Sequence, residues 1–197
     1  MKIDTILFDL HGTLLNCSGA QKKAWELALG KNCSKRSMEI VRFHLLNGAS
    51  SWEIARHLSF DVPAQHQLVE RKRIYFGSLE LDVRLAPYCR RVLTQMTRRF
   101  NLGVVSLGET QASIRVLSTK GIDHYFRYIG GRNSSEETTK TLLIERAMNN
   151  LGVKNHQCMY VGDTKADEHA ARHLDLKYFH VQHNLSASSL HALASSI

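Results

Sequence analysis

The sequence is short of cysteine, and its four, Cys17, Cys33, Cys89 and Cys158, are scattered along the chain. They form no CxxC pair and no partner histidines stand at zinc spacing, which excludes a disulfide framework and a structural zinc site as expectations. Reduced thiols in a reducing compartment are expected instead. No apolar run is long enough to span a bilayer. Met1-Lys2-Ile3-Asp4 leads straight into a strand-like run, without the apolar stretch and small-residue cleavage site of a secretory leader. A cytoplasmic location without membrane association is the resulting expectation. Internal repeats and low-complexity segments are also missing, which removes solenoids and disordered tracts from consideration.

What is there is an ordinary globular composition, with 43% hydrophobic and 22% charged residues over 197 positions. That length suits one moderate domain, or a core domain with a small inserted one. The net charge of +8 and pI near 9.5 invite a nucleic-acid reading. However, the basic clusters Arg71-Lys72-Arg73, Arg90-Arg91 and Arg98-Arg99 each sit inside an amphipathic segment, with no aromatic-rich binding motif or basic tail. They read as solvated helix faces, so a nucleic-acid partner is not expected. A positive field attracts anionic phosphorylated substrates equally well. Oligomeric state has no signature in the sequence.

Ile3–Leu10 reads as a buried strand that ends at the turn residues Gly12 and Thr13. Similar runs recur at Leu102–Ser106, Tyr128–Gly130, Cys158–Val161 and Tyr178–Val181. Helical patterns separate the later ones, at Tyr88–Arg99, Thr110–Lys120, Thr139–Leu151 and Ala166–His173. This alternation predicts a parallel sheet with helices on both faces. Such sheets bind ligands at the carboxyl ends of their strands, where Asp9, Ser106 and Asp163 fall. Between about Gly19 and Asp82 the periodicity is helical only, with candidates at Ala20–Gly30, Lys35–Asn47, Ser51–Leu58 and Ala64–Gly77. Ser51 followed by Ile54, Ala55 and Leu58 has the form of a capped amphipathic helix. A small helical domain inserted after the first strand, with the sheet resuming at Pro87, is the economical interpretation.

Four constellations can carry chemistry. Phe8-Asp9-Leu10-His11-Gly12-Thr13 places a carboxylate at a strand end before a tight turn, a pattern that is common and weak alone. Val161-Gly162-Asp163-Thr164-Lys165-Ala166-Asp167 brings two carboxylates, four apart, to a turn running into a helix. Paired carboxylates there suit a hard cation such as Mg²⁺. The competing structural reading makes Asp163 or Thr164 a helix cap, which accounts for one of these residues and not for both carboxylates. Ser106 ends a strand with a hydroxyl able to reach a phosphoryl oxygen, and Lys140 starts a helical segment with a charge able to neutralise phosphate.

In this order and spacing the residues resemble the haloacid dehalogenase superfamily, whose motifs run D-x-D-G-T, a strand-ending Ser or Thr, a Lys, and G-D-x-x-x-D. The resemblance covers essentially the whole chain. Leu85-Ala86-Pro87, Ile122-Asp123-His124-Tyr125-Phe126 and Ala170-Ala171 look like the helical-cap branch that includes phosphoglycolate phosphatase and β-phosphoglucomutase. It implies an α/β, Rossmann-like parallel-sheet core over 1–16 and 83–197, with a small helical cap inserted over 17–82. It further implies a Mg²⁺-dependent phosphatase acting on a small phosphorylated metabolite. Asp9 would attack phosphorus to form an aspartyl-phosphate, which water then hydrolyses. Mg²⁺ would be held by Asp9, the backbone carbonyl of His11, Asp163 and Asp167. Gly12, Thr13, Ser106, Leu107 and Lys140 would form the phosphate cradle.

The main departure from the pattern is His11, which stands where phosphatases of this superfamily have a second Asp as acid and base. An unperturbed imidazole titrates at about 6.5 against about 3.9 for Asp, so His11 is expected to substitute, with activity highest near or below neutral pH. The alternative is a catalytically weakened binding or regulatory protein on the same scaffold. Phosphonate cleavage would need a cap lysine where Asn47 stands beside Gly48. Mutase chemistry relies on the missing Asp, and dehalogenases need no Asp163/Asp167 pair. Leu107 replaces a common Asn, and Lys140 lacks a following Pro. Specificity is expected in the loops around Asn47–Trp52.

Overall fold

The structure, a computed structural model, describes residues 2–59, 61–133, 138–181 and 192–193. The chain divides into two compact units, one of residues 1–16 with 84–197 and the other Cys17–Val83.

The first unit opens with β1 (Thr5–Phe8) and β2 (Leu15–Asn16). The chain then builds the second unit from α1 (Ser18–Leu29), α2 (Lys35–Leu46), α3 (Ser51–Leu58) and α4 (Val62–Glu80). It returns through β3 (Arg84–Leu85), α5 (Cys89–Met96), β4 (Asn101–Glu109), α6 (Thr110–Thr119) and β5 (Tyr128–Arg132). α7 (Lys140–Leu151), β6 (Cys158–Gly162), α8 (Lys165–His173) and β7 (Lys177–His180) follow.

The α/β architecture is the one expected. Five strands form a parallel sheet in the order β5-β4-β1-β6-β7. Ile6, Leu7 and Phe8 of the central strand are all fully buried. Successive strand residues face opposite sides, so both faces are covered, as a parallel sheet demands. Leu7, Val105 and Tyr160 share one apolar cluster with Leu143, Ile144, Ala147 and Met148 of α7 and with Ala170 and Ala171 of α8. These helical positions recur at spacings of three and four, which is why the segments fold as helices against the sheet.

In the second unit Trp25, Leu29, Val41, Ile54, Ala55 and Val69 form a separate core. α4 is longer than its periodicity suggests, because Asp61 accepts the Ala64 N–H and Pro63 opens the first turn. The cap of α3 is Ser50, one residue before the expected Ser51. Its hydroxyl accepts the Glu53 N–H while Glu53 returns a bond to the Ser50 N–H. Asn47 and Gly48 end α2: the Asn47 amide donates to Phe43 O, and Gly48 takes φ +76°. The unforeseen element is the antiparallel pair β2–β3, where Leu15 meets Leu85 and Asn16 meets Arg84. Two residues per strand are too few for any periodic signal, and the partners are distant in sequence.

Candidate active site

The sheet register assembles the site. Phe8 pairs with Val104 on one side and Val161 on the other. Asp9 and Asp163 therefore follow directly on the carboxyl ends of β1 and β6. Ser106, expected to end its strand, lies inside β4 where the register with β5 shifts after Val105, because that strand continues to Glu109. The Asp9 N–H continues the ladder to Val161 O at 2.8 Å, and the residue is only 5% exposed.

Lys140, buried at the first residue of α7, reaches across to this edge. Its Nζ lies 2.5 Å from Asp9 Oδ1 and 3.1 Å from Asp167 Oδ1. Thr164 caps α8: its hydroxyl accepts the Asp167 N–H, and Asp167 Oδ2 accepts both the Thr164 N–H and, at 2.6 Å, its hydroxyl. Helix capping thus accounts for Thr164 and part of Asp167, but not for Asp163. Asp163 instead accepts from Thr13 Oγ1 at 3.2 Å.

Gly12 makes the approach of the two loops possible. It adopts φ +94°, and a Cβ there would fall 2.2 Å from Asp163 Oδ2. The Gly12 N–H donates to Leu15 O, and the N–H groups of Leu14 and Leu15 both donate to Leu10 O, closing a tight turn. His11 on that turn is half-buried, with Nδ1 3.4 Å from Ser106 Oγ. Ser106 Oγ also accepts the Gly108 N–H at 3.0 Å. Leu107 packs its side chain against the sheet's apolar cluster.

Asp9, Asp163 and Asp167 bring carboxylate oxygens within 4.8 Å of one another. Burial pushes the Asp163 carboxyl up to about 7, and the neighbouring Asp9 and Asp167 push in the same direction. Burial likewise raises Asp9, with Lys140 opposing and Asp167 adding to the shift. For Lys140, burial disfavours the ammonium, but Asp167 and Asp9 outweigh it and hold the group protonated. Three carboxylates against one ammonium leave negative charge uncompensated. An all-oxygen donor set in that state fits a small hard divalent cation.

The profile of the haloacid dehalogenase-like hydrolases matches residues 6–181. The chain belongs to that family. It is 26% identical over 179 residues to a phosphoglycolate phosphatase of Photorhabdus laumondii, covering 86% of this chain and 76% of that protein. It is 24% identical over 186 residues to the human N-acylneuraminate-9-phosphatase, covering 83% and 75% respectively. Among solved structures, a haloacid dehalogenase-like hydrolase from Streptococcus pneumoniae superposes with a TM-score of 0.84 over 99% of both chains, at 20% identity. That likeness speaks for the fold. Among the described residues, no helix is long and apolar enough to cross a membrane.

Of the residues singled out in sequence, the structure brings Asp9, Thr13, Lys140, Asp163 and Asp167 into one contact network, with His11 and Ser106 paired beside it. Sequence reasoning missed Gly108, Tyr160 and Tyr178. Tyr160 Oη donates toward Asp167 Oδ1 at 3.3 Å, and Tyr178 Oη reaches the carbonyls beside Asp163. Inside apolar strands such tyrosines look like core residues, and only strand register shows where their hydroxyls end.

Proposed function

We propose that this hydrolase is a phosphatase, cleaving a small phosphorylated metabolite through an aspartyl-phosphate on Asp9. The observation that carries the reading is the cluster of Asp9, Asp163 and Asp167, oxygens within 4.8 Å, with the Lys140 ammonium on Asp9 and Asp167. Two curated relatives named as phosphatases support it.

In the first step an Asp9 carboxylate oxygen bonds to phosphorus as the bond to the leaving oxygen breaks. Protonated His11 gives that oxygen its proton. In the second step water attacks phosphorus, neutral His11 takes the water proton, and the bond from Asp9 to phosphorus breaks. Phosphate leaves with the carboxylate restored. The Lys140 ammonium opposes the upward push that burial gives the Asp9 carboxyl and so favours its ionised form. Lys140, Ser106 and the backbone around Gly12 and Leu107 cradle the phosphoryl oxygens. Asp9, the His11 backbone carbonyl, Asp163 and Asp167 would hold Mg²⁺, which supplies screening between the anionic nucleophile and substrate and stabilises transition-state charge. The helical unit, Cys17–Val83, would act as the cap, with the Asn47–Trp52 region reading the substrate.

The test is turnover of an aryl phosphate by the wild type and by Asp9→Asn, with fluoroberyllate as a mimic of the acyl phosphate. Turnover with Mg²⁺ that Asp9→Asn abolishes is expected, together with fluoroberyllate binding that needs both Asp9 and Mg²⁺. A protein that binds the mimic equally well without Asp9, or turns over nothing across a panel of phosphorylated metabolites, would leave the binding-protein reading in its place.

A further inference from the structure

Tyr160 and Tyr178 face one another across β6 and β7 in direct register. Their hydroxyls go to different places, one to a carboxylate and the other to backbone carbonyls. Tyr160 Oη meets Asp167, which Lys140 and Thr164 also hold. Tyr178 Oη runs past the end of β6 to lie 3.0 Å from Gly162 O and 3.3 Å from Thr164 O. Those two carbonyls flank Asp163. A phenol has one hydrogen to donate, so a single O–H is shared between the carbonyl of the residue before Asp163 and that of the residue after it. His180 Nδ1, 3.3 Å from the same oxygen, adds a further contact from β7.

We propose that Tyr178 is a positioning residue that fixes the Asp163 loop so that its carboxylate is presented for a divalent cation. The inference rests on the reading of Asp163 as a cation ligand. Two buried carboxylates, Asp9 and Asp167, repel Asp163, with the Thr13 hydroxyl at 3.2 Å and the Lys140 charge set against that repulsion. A like-charged group swings away unless its backbone is held, and Tyr178 holds the backbone on either side. The loop also has no slack toward the site. A Cβ on Gly162 would stand 2.7 Å from Asp167, and one on Gly12 would collide with Asp163 itself. Burial, with Asp167 and Asp163 nearby, pushes the Tyr178 hydroxyl up from its ordinary value, so it stays protonated and able to donate. Partners that orient metal ligands are typically worth about 10–100-fold in metal affinity.

The experiment is Mn²⁺ binding, followed by the EPR signal of the free ion, with Mg²⁺ competition, for wild type, Tyr178→Phe and Tyr160→Phe. Tyr178→Phe keeps the ring packed on the β7 side of the core and removes only the hydroxyl. The expected result is a loss of Mn²⁺ affinity of about tenfold in Tyr178→Phe. Tyr160→Phe is expected to lose less than threefold, because Lys140 and Thr164 still hold Asp167. A loss in Tyr178→Phe of less than threefold overturns the positioning role alone. An equal loss in both variants also overturns it, since the effect would then be a general loosening of the sheet edge. A wild type that binds no Mn²⁺ overturns the cation reading of Asp163 and this inference with it.

Discussion

Lys140 Nζ and Asp9 Oδ1 lie 2.5 Å apart, although 131 positions separate them in the chain. The same ammonium also touches Asp167, so one cation ties the strand end of β1 to the helix start of α8. Lys140→Met leaves three carboxylates close together with no counter-charge. Removing one partner of a buried pair costs about 3–5 kcal/mol. We expect the metal-free denaturation midpoint to fall accordingly and Mg²⁺ to recover part of the loss. Turnover of an aryl phosphate should drop by at least about 10²-fold, the scale of losing one donor to transition-state charge. Urea titrations with and without Mg²⁺, beside steady-state rates, check both expectations.

The Asp163 carboxyl gives the metal-free protein a pH signature. Its folded value of about 7 lies above the ordinary 3.8. Between these values the folded state holds a proton that the unfolded state has released, so this group's contribution to stability falls as pH rises from about 4 to about 7. A cation competes with that proton, so Mg²⁺ affinity should rise over the same interval and flatten above it. Metal titrations by calorimetry at pH 5.5, 6.5 and 7.5 read the trend. Affinity independent of pH would show that Asp163 does not take part.

His11 is tested by substitution in both directions. If it transfers the proton, His11→Ala should lower kcat by about 10²–10⁴-fold while Mg²⁺ affinity stays near wild type, because a cation would use only the backbone carbonyl there. His11→Asp should retain turnover, with the pH optimum displaced to lower pH. Wild-type rates in His11→Ala would rule out the proton-transfer role. A His11→Asp variant far faster than wild type would mark the natural site as impaired or specialised.

Gly12 and Gly77 should respond oppositely to alanine. At Gly12 the positive φ costs about 1–2 kcal/mol for a residue with a Cβ, and the methyl meets Asp163 Oδ2 at 2.2 Å. We expect loss of both metal binding and turnover. Gly77 lies inside α4 with nothing within 4 Å of its would-be Cβ, so Gly77→Ala should stabilise by about 0.5–1 kcal/mol without altering either. Thermal denaturation and metal titration of the two variants settle the contrast.

Legibility followed the range of the interaction. Buried parallel strands write continuous apolar runs, so Cys158–Val161 and Leu102–Ser106 were readable, as were the amphipathic helices whose cores they face. Asp9, Lys140, Asp163 and Asp167 could be found as candidates because each stands at a strand end or helix start, in a fixed order. Thr164 with Asp167 is a local capping pattern, visible as a threonine three residues before an acid. Ser50 was displaced by one residue because Ser50 and Ser51 are both competent caps and only the Glu53 contact chooses between them. Tyr178 left no trace, since its hydroxyl acts on a loop fourteen positions away.

The sequence by itself determined the α/β alternation, the helical insertion and the identity of the charged groups, because periodicity, turn residues and motif spacing are properties of the chain read locally. Tertiary structure alone decided that Lys140 bridges Asp9 and Asp167, that Gly12 lies against Asp163, and that Tyr160 reaches the Asp167 carboxylate while Tyr178 reaches the Gly162 and Thr164 carbonyls. Those facts depend on strand order and register. Hydrogen bonding between backbones far apart in sequence sets both, and a shift of one residue would turn Tyr160 or Tyr178 to the other face of the sheet.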